Sequence, residues 1–577
     1  MTTHRERPLR VAILAALACS IVGFARPQGQ EDHSQVKFAI RTELVLIPTL
    51  VTDKSGNHIT GLKKEDFIVL EDGVEQKVAT FEEIHSDVHP LRRSAPPNEF
   101  SNSVTDESST RRVTVIVLDF INTPFMAQTA ARKDLLKYLT QSVDAREPTA
   151  LYTLTRSGVR VIHDFTTDPR VLVAALHKVR GDAYEMVDSP ETVEAITGTA
   201  SPDGSAGDPS AAASTSGGSG QAVQAEAARI QAMLEDSELN FQSFEQRLAI
   251  TYTLEGMQQI SQALAGLAGR KSLIWASGGF PFSVSDNTMQ LAPAGRDTLS
   301  DVLPMYEHTW QLLNDAQISL YPVDVKGLQV VTVPNASVRN PGANFGRRMM
   351  WKQLDTQATL QTFASMTGGR AYYNSNDLAK GFREAVNDSS QYYMLGYYLD
   401  HSKTKSGWRK LAVRVKRDHT EVRARNGFFV TNATTDPDKN RNNDISSALQ
   451  SPLEYTSLPL VAHWGKIEPG KQSDKKRVNF EIHLSADSGV INEADSNHAV
   501  LDFAALAVTP DGKRVGQPVG QKVDAHLTAD KLSVVKKQGI VYRDFLELAP
   551  GEYTVRLVVR DDLTGRTGSV AAPLKVE

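Results

Sequence analysis

A chain of 577 residues is too long for one ordinary hydrophobic core, and 40% hydrophobic with 23% charged residues is a globular balance. The formal charge of -5 supplies no basic field to hold a polyanion, which excludes nucleic acid as an expected partner and disfavours a membrane surface. The one cysteine, Cys19, lies near the start, so a chain cleaved after it carries no disulfide and no thiolate-bound metal.

Arg5, Arg7 and Arg10 precede an apolar run from Val11 to Phe24, and Gly23 and Ala25 are small. Residues 1–25 therefore read as a secretory signal peptide cleaved after Ala25, and the protein as exported, periplasmic or extracellular. An alternative reading makes Cys19, in "ALAC", an N-terminal lipid anchor. No later apolar run approaches the ~20 residues of a spanning helix, so no membrane span is expected.

Residues 37–83 alternate apolar and polar in short runs with turn signals at Asp53 to Gly56 and Asp72-Gly73, the pattern of an N-terminal β segment too small to stand alone. Residues 86–110 are rich in Pro, Ser and Asn and read as a linker. From 111 to 400 apolar strands alternate with helical spacing: "VTVIVLD", "TALYTLT", "GVRVIHDF", "KSLIWAS" and "ISLYPVDV" are the strands. "DPRVLVAALHKV" and "FEQRLAITYTLEGMQQISQALAGLAG" are among the helices, the first with Asp168 and Pro169 as its start signal. Repeated strand and helix units predict an α/β fold with a mostly parallel, Rossmann-like sheet covered by helices on both faces. A Gly, Ser and Ala-rich insertion at 196–226 interrupts it and is expected to be a mobile loop. Residues 402–430 give a further β segment, expected to pack with 37–83. Residues 431–445 read as a second linker, and 446–577 as a C-terminal β-sandwich.

"VTVIVLDFINTPF", "RVIHDFTTDP", "GRKSLIWASGGFP", "ISLYPVDVKGL", "TGGRAYYNSNDL" and "YYMLGYY", in that order, resemble the VWFA-related domain family of Acidobacteria. The resemblance covers roughly residues 37–430 and implies a von Willebrand factor A-like (VWA) sheet in an exported protein. Such folds commonly hold a divalent cation at the C-terminal edge of the sheet, on an Asp-x-Ser-x-Ser motif joined by a Thr and a second Asp. Laid on this chain, the motif gives Asp119 and Thr123, with Ser277 where the second aspartate is expected and Thr251 or Thr253 as the distant threonine; Asn122, between motif positions, adds a carbonyl oxygen if its side chain turns inward. Ile121 stands where the first serine belongs and has no oxygen to offer. The implied metal-ion-dependent adhesion site is thus degenerate: Asp119, Asn122, Thr123 and Ser277 are candidate ligands for Mg²⁺, Mn²⁺ or Ca²⁺. The competing reading is that Asp119 hydrogen-bonds loop amides and caps the next helix.

Other signals are weaker. "GLAGRKS" lies between a helix and a strand, the reverse of a phosphate loop. His85 and His89 stand four apart beside Pro90 and read as solvated. Ser277 lacks the surroundings of a nucleophile, and Tyr392, Tyr393, Tyr397 and Tyr398 read as packing rather than a carbohydrate platform. The expected function is a non-enzymatic protein-binding or assembly module with an unknown protein partner. A divalent-cation-dependent adhesin is the first alternative and a hydrolase the second.

Overall fold

The computed structural model describes residues 42–85, 98–102, 113–141, 148–179, 219–280, 283–285, 288–290, 299–327, 345–375, 377–388, 390–400, 407–430, 437–493, 495 and 497–577. The signal segment with Cys19, His89 and residues 196–218 of the insertion lie outside these.

Alternating apolar residues build β1 (Thr42–Asp53), β2 (Phe67–Glu71), β3 (Val74–Gln76), β4 (Thr80–His85) and a short β5 (Glu99–Ser101). Next come β6 (Val113–Asp119), α1 (Phe125–Gln141), β7 (Thr149–Thr155), β8 (Gly158–Thr166), α2 (Pro169–Lys178) and the long α3 (Ser219–Leu264). The chain continues through β9 (Lys271–Ser277), β10 (Ser283–Ser285), β11 (Thr288–Gln290), α4 (Leu299–Asp315), β12 (Ile318–Asp324), α5 (Phe345–Thr367), α6 (Leu378–Asn387) and β13 (Gln391–Asp400). After β14 (Gly407–Val415), β15 (Thr420–Arg423), β16 (Gly427–Val430) and α7 (Pro437–Gln450) come β17 (Leu460–Pro469), β18 (Lys476–Leu484), β19 (His498–Val508) and β20 (Arg514–His526). The last elements are α8 (Ala529–Gln538), β21 (Ile540–Leu548), β22 (Gly551–Asp561) and β23 (Thr567–Val576).

The chain is mostly β, which corrects the expected fold class of a mostly parallel, helix-flanked α/β protein. Among the described residues five of the six sheets are antiparallel, and only the sheet ordered β12-β9-β6-β7-β8 contains parallel pairs. That sheet is itself mixed. Only Arg156 and Ser157 separate β7 from β8, and a connection that short can only reverse the chain. The strand and helix alternation from 113 to 400 is the loudest pattern in the sequence, yet most strands lie outside this one sheet.

Of the two expected linkers only 98–102 and 437–445 are described, and both stretches hold regular structure. Within 86–110, β5 pairs with β17, and buried Asn102 donates to the carbonyls of Tyr455 (2.6 Å) and Leu458 (3.0 Å). Within 431–445, α7 begins at Pro437, and its Ala448 and Leu449 pack on Tyr455, Leu506 and Val558. The end of the insertion, 219–226, is helical as the start of α3.

In the mixed sheet successive side chains alternate between two cores. Val115, Val117, Tyr152, Leu273, Trp275 and Leu320 face α3, α4 and α5; Ile116, Leu118, Leu151, Ile274 and Val323 face α1, α2 and α6. α2 starts as its sequence dictates, with the Asp168 carboxylate accepting from the Arg170 amide at 2.9 Å and Pro169 in the first turn. The sheets β15-β1-β13-β4 and β16-β14-β2-β3 share one core built on Ile47, Phe67, Val69, Tyr393, Leu395 and Leu411. At the C-terminus, β21-β18-β17-β5 and β20-β19-β22-β23 close as a sandwich on Phe480, Ile482, Leu501, Phe503, Leu557 and Val559. Thr456 joins this sandwich to α3, its amide donating to the Gln262 carbonyl (3.0 Å) and its hydroxyl to the Ala263 carbonyl (2.9 Å). Among the described residues no helix is long and apolar enough to cross a membrane.

"GRKS" supplies two buried basic side chains at the N-terminal edge of the mixed sheet. Arg270 donates to the Ser319 hydroxyl (2.7 Å) and the Gly368 carbonyl (2.6 Å), and its amide donates to the Tyr392 hydroxyl (3.1 Å), tying the sheet to β13. Lys271 donates to the Ala316 carbonyl at 2.7 Å, and burial lowers its ammonium from 10.5 to about 7. Between those values the unfolded chain holds a proton that the folded chain has released, so this group makes stability fall as pH drops from 10.5 to about 7. The expected slope is about 1.4 kcal/mol per pH unit. Denaturant melts of Lys271→Met across that window should lose this slope; an unchanged slope would mean that Lys271 folds with its proton on.

Candidate functional site

β6 and β9 are adjacent and parallel, with Leu118 opposite Ala276, so Asp119 and Ser277 emerge side by side at the C-terminal edge of the mixed sheet. Both are buried and lie on the α3 side, where Trp275 also points. The chain then turns through Ile121, Asn122 and Thr123 into α1. The structure thus brings all four candidate residues together.

Their oxygens are occupied by one another and by neighbouring amides. Asp119 Oδ1 accepts from the backbone amides of Ile121 and Asn122, both at 3.0 Å. Oδ2 accepts from Asn122 Nδ2 (2.8 Å), Trp275 Nε1 (3.0 Å) and Ser277 Oγ (2.9 Å). Asn122 spends its other amide hydrogen on Thr253 Oγ1 at 2.9 Å, which selects Thr253 over Thr251 as the threonine at this edge. Ser277 Oγ also lies 2.5 Å from the Gly279 carbonyl, and Thr123 Oγ1 accepts from the Gly278 amide at 2.9 Å. A Cβ on Gly278 would sit 2.8 Å from the Asn122 carbonyl oxygen, so the two loops meet backbone to backbone only because that residue is glycine.

Burial pushes the Asp119 carboxyl above its ordinary range, and hydrogen bonds from Asn122, Trp275 and Ser277 oppose the shift. A hard dication does not fit this donor set. There is one carboxylate, its two oxygens already take five donors, and Asn122 turns its amide nitrogen inward because Asp119 is an acceptor. The next carboxylate on the edge, Asp324, lies opposite Ser277 on β12, two strand spacings or roughly 10 Å from Asp119. It accepts from the Lys326 amide at 3.0 Å, and burial raises its carboxyl.

Sequence reasoning missed Trp275 and Asp324. The signal for Trp275 was its place two residues before Ser277, on the same face of a strand. Of the weaker candidates, Arg270 Nε and Nη2 and Lys271 Nζ are bonded to protein partners, and His85 lies 3.5 Å from Glu83. Tyr392, Tyr393 and Tyr397 are buried while Tyr398 is exposed. Two clefts lie elsewhere: one of about 470 Å³ between β8 and α2, lined by Val161, His163 and Lys178, and one of about 170 Å³ beside Leu44, Asn314 and Arg425.

Exposed apolar side chains lie on α1 and α3, the helices that carry or follow the candidate residues. Phe125 and Met126, the latter 80% exposed, begin α1 two residues beyond Thr123. Phe241 and Phe244 are exposed on α3, the nearer about 13 Å along the helix from Thr253. No protein-family model matches the chain, and no curated protein matches it.

Proposed function

We propose that the chain is an exported, non-enzymatic protein-binding or assembly module that docks its partner on the C-terminal edge of the mixed sheet. The observation that carries this reading is the exposure of Phe125, Met126, Phe241 and Phe244 beside loops locked by Asp119. Apolar side chains held in water by a rigid frame suit a protein surface, since their burial on docking gains ~25 cal/mol per Å² without loop ordering. Export rests on the basic and apolar character of residues 1–25. In this reading the hydrogen-bonded Asp119 cluster stands in place of an adhesion-type cation site.

Photo-crosslinking residues placed at Met126 and Phe244, with Val534 on α8 as a distant exposed control, test the face. The same adduct is expected from the first two positions and none from Val534, with its loss in a Phe241→Asp variant. Adducts that form equally at Val534, or that survive Phe241→Asp unchanged, would rule this face out as the docking surface.

A further inference from the structure

We propose that Asp495, His498 and His526 form a binding site for one divalent transition metal of the zinc and nickel class, with Asp524 holding the far nitrogen of His498. His498 opens β19 and His526 ends β20, and the two are direct cross-strand partners. Inner positions of β19 are Leu501, Phe503, Ala505 and Ala507, so His498 lies on the outer face of the sandwich. The two imidazoles stack with centroids 4.0 Å apart and planes 9° from parallel. Asp495, in the turn before β19, brings Oδ2 to 3.2 Å from His498 Nδ1. One ligand atom each from Asp495, His498 and His526 lies within 4.8 Å of the others.

Tetrahedral zinc, with bonds of about 2.0–2.1 Å, places its ligand atoms roughly 3.3 Å apart and must lie in the plane of each ligand ring, so one ring has to turn out of the stack to close the set. His526 and Asp495 are exposed, which leaves room for that turn. Two imidazoles with one carboxylate favour zinc, nickel or copper over Mg²⁺ or Ca²⁺. Asp524, 2.8 Å from His498 Nε2, completes the carboxylate–histidine–metal arrangement that fixes a ligand ring. An ion pair alone accounts for Asp495 and Asp524 around His498; it gives no role to His526.

Calorimetric titration of the intact, chelator-stripped chain with ZnCl₂ and NiCl₂ tests the site. One saturable site is expected, weakened about 10–100-fold in Asp524→Asn and at least as much in His526→Ala. His463→Ala, which alters the other histidine pair of the sandwich, should leave binding unchanged. No saturable binding up to millimolar metal, or binding untouched by His526→Ala in a variant with wild-type circular dichroism, would overturn the proposal.

Discussion

Asp119→Ala is expected to destabilise the chain by about 3–5 kcal/mol in chelator-treated buffer, read from denaturant melts. The substitution leaves the buried Trp275 indole N–H without its acceptor and takes one acceptor each from the Asn122 amide and the Ser277 hydroxyl, which keep Thr253 Oγ1 and the Gly279 carbonyl. It also frees the backbone amides of Ile121 and Asn122, so the turn into α1 loses the group that shapes it. The sign discriminates between the two readings of this residue. A ligand awaiting a cation is an uncompensated buried charge, and deleting it without metal would leave stability unchanged or raise it. Thr123→Val removes only the bond from Gly278 and should cost about 1 kcal/mol.

The second large effect is expected at Asp388, at the C-terminal end of α6. Its carboxylate pairs with both terminal nitrogens of Arg423 on β15, one at 2.8 Å. Asp388→Ala leaves the Arg423 guanidinium without its carboxylate, at an expected cost of about 3–5 kcal/mol. An Asp388→Ala, Arg423→Met double variant should recover part of that loss, because apolar groups replace both partners. Equal stability of the single and double variants would show that the pair does not act as a unit.

The strands of the mixed sheet were legible because they are short apolar runs bounded by turn and helix signals, as "VTVIVLD" and "KSLIWAS" illustrate. The fold class was not, since strand pairing outside that region is long-range: β1 meets β13 with Leu46 opposite Gly396, a separation that no local pattern encodes. β5 was hidden for the same reason, being three residues that become a strand only against β17. α7 was hidden by its polar first turns, "PDKNRNND", whose helix is held by Ala448 and Leu449 at its far end. At the candidate site, the juxtaposition of Asp119 with Ser277 followed from strand adjacency at one sheet edge. What the sequence concealed was the direction of each hydrogen bond, above all the Trp275 indole that reaches Asp119 from a neighbouring strand.

The most direct test of the hydrogen-bonded reading of Asp119 is the melting temperature of the chelator-stripped chain titrated with Mg²⁺ and Ca²⁺, in the wild type and in Asp119→Asn. No saturable rise is predicted in either protein. A rise in the wild type that is absent from Asp119→Asn would contradict that reading and restore a cation to this edge.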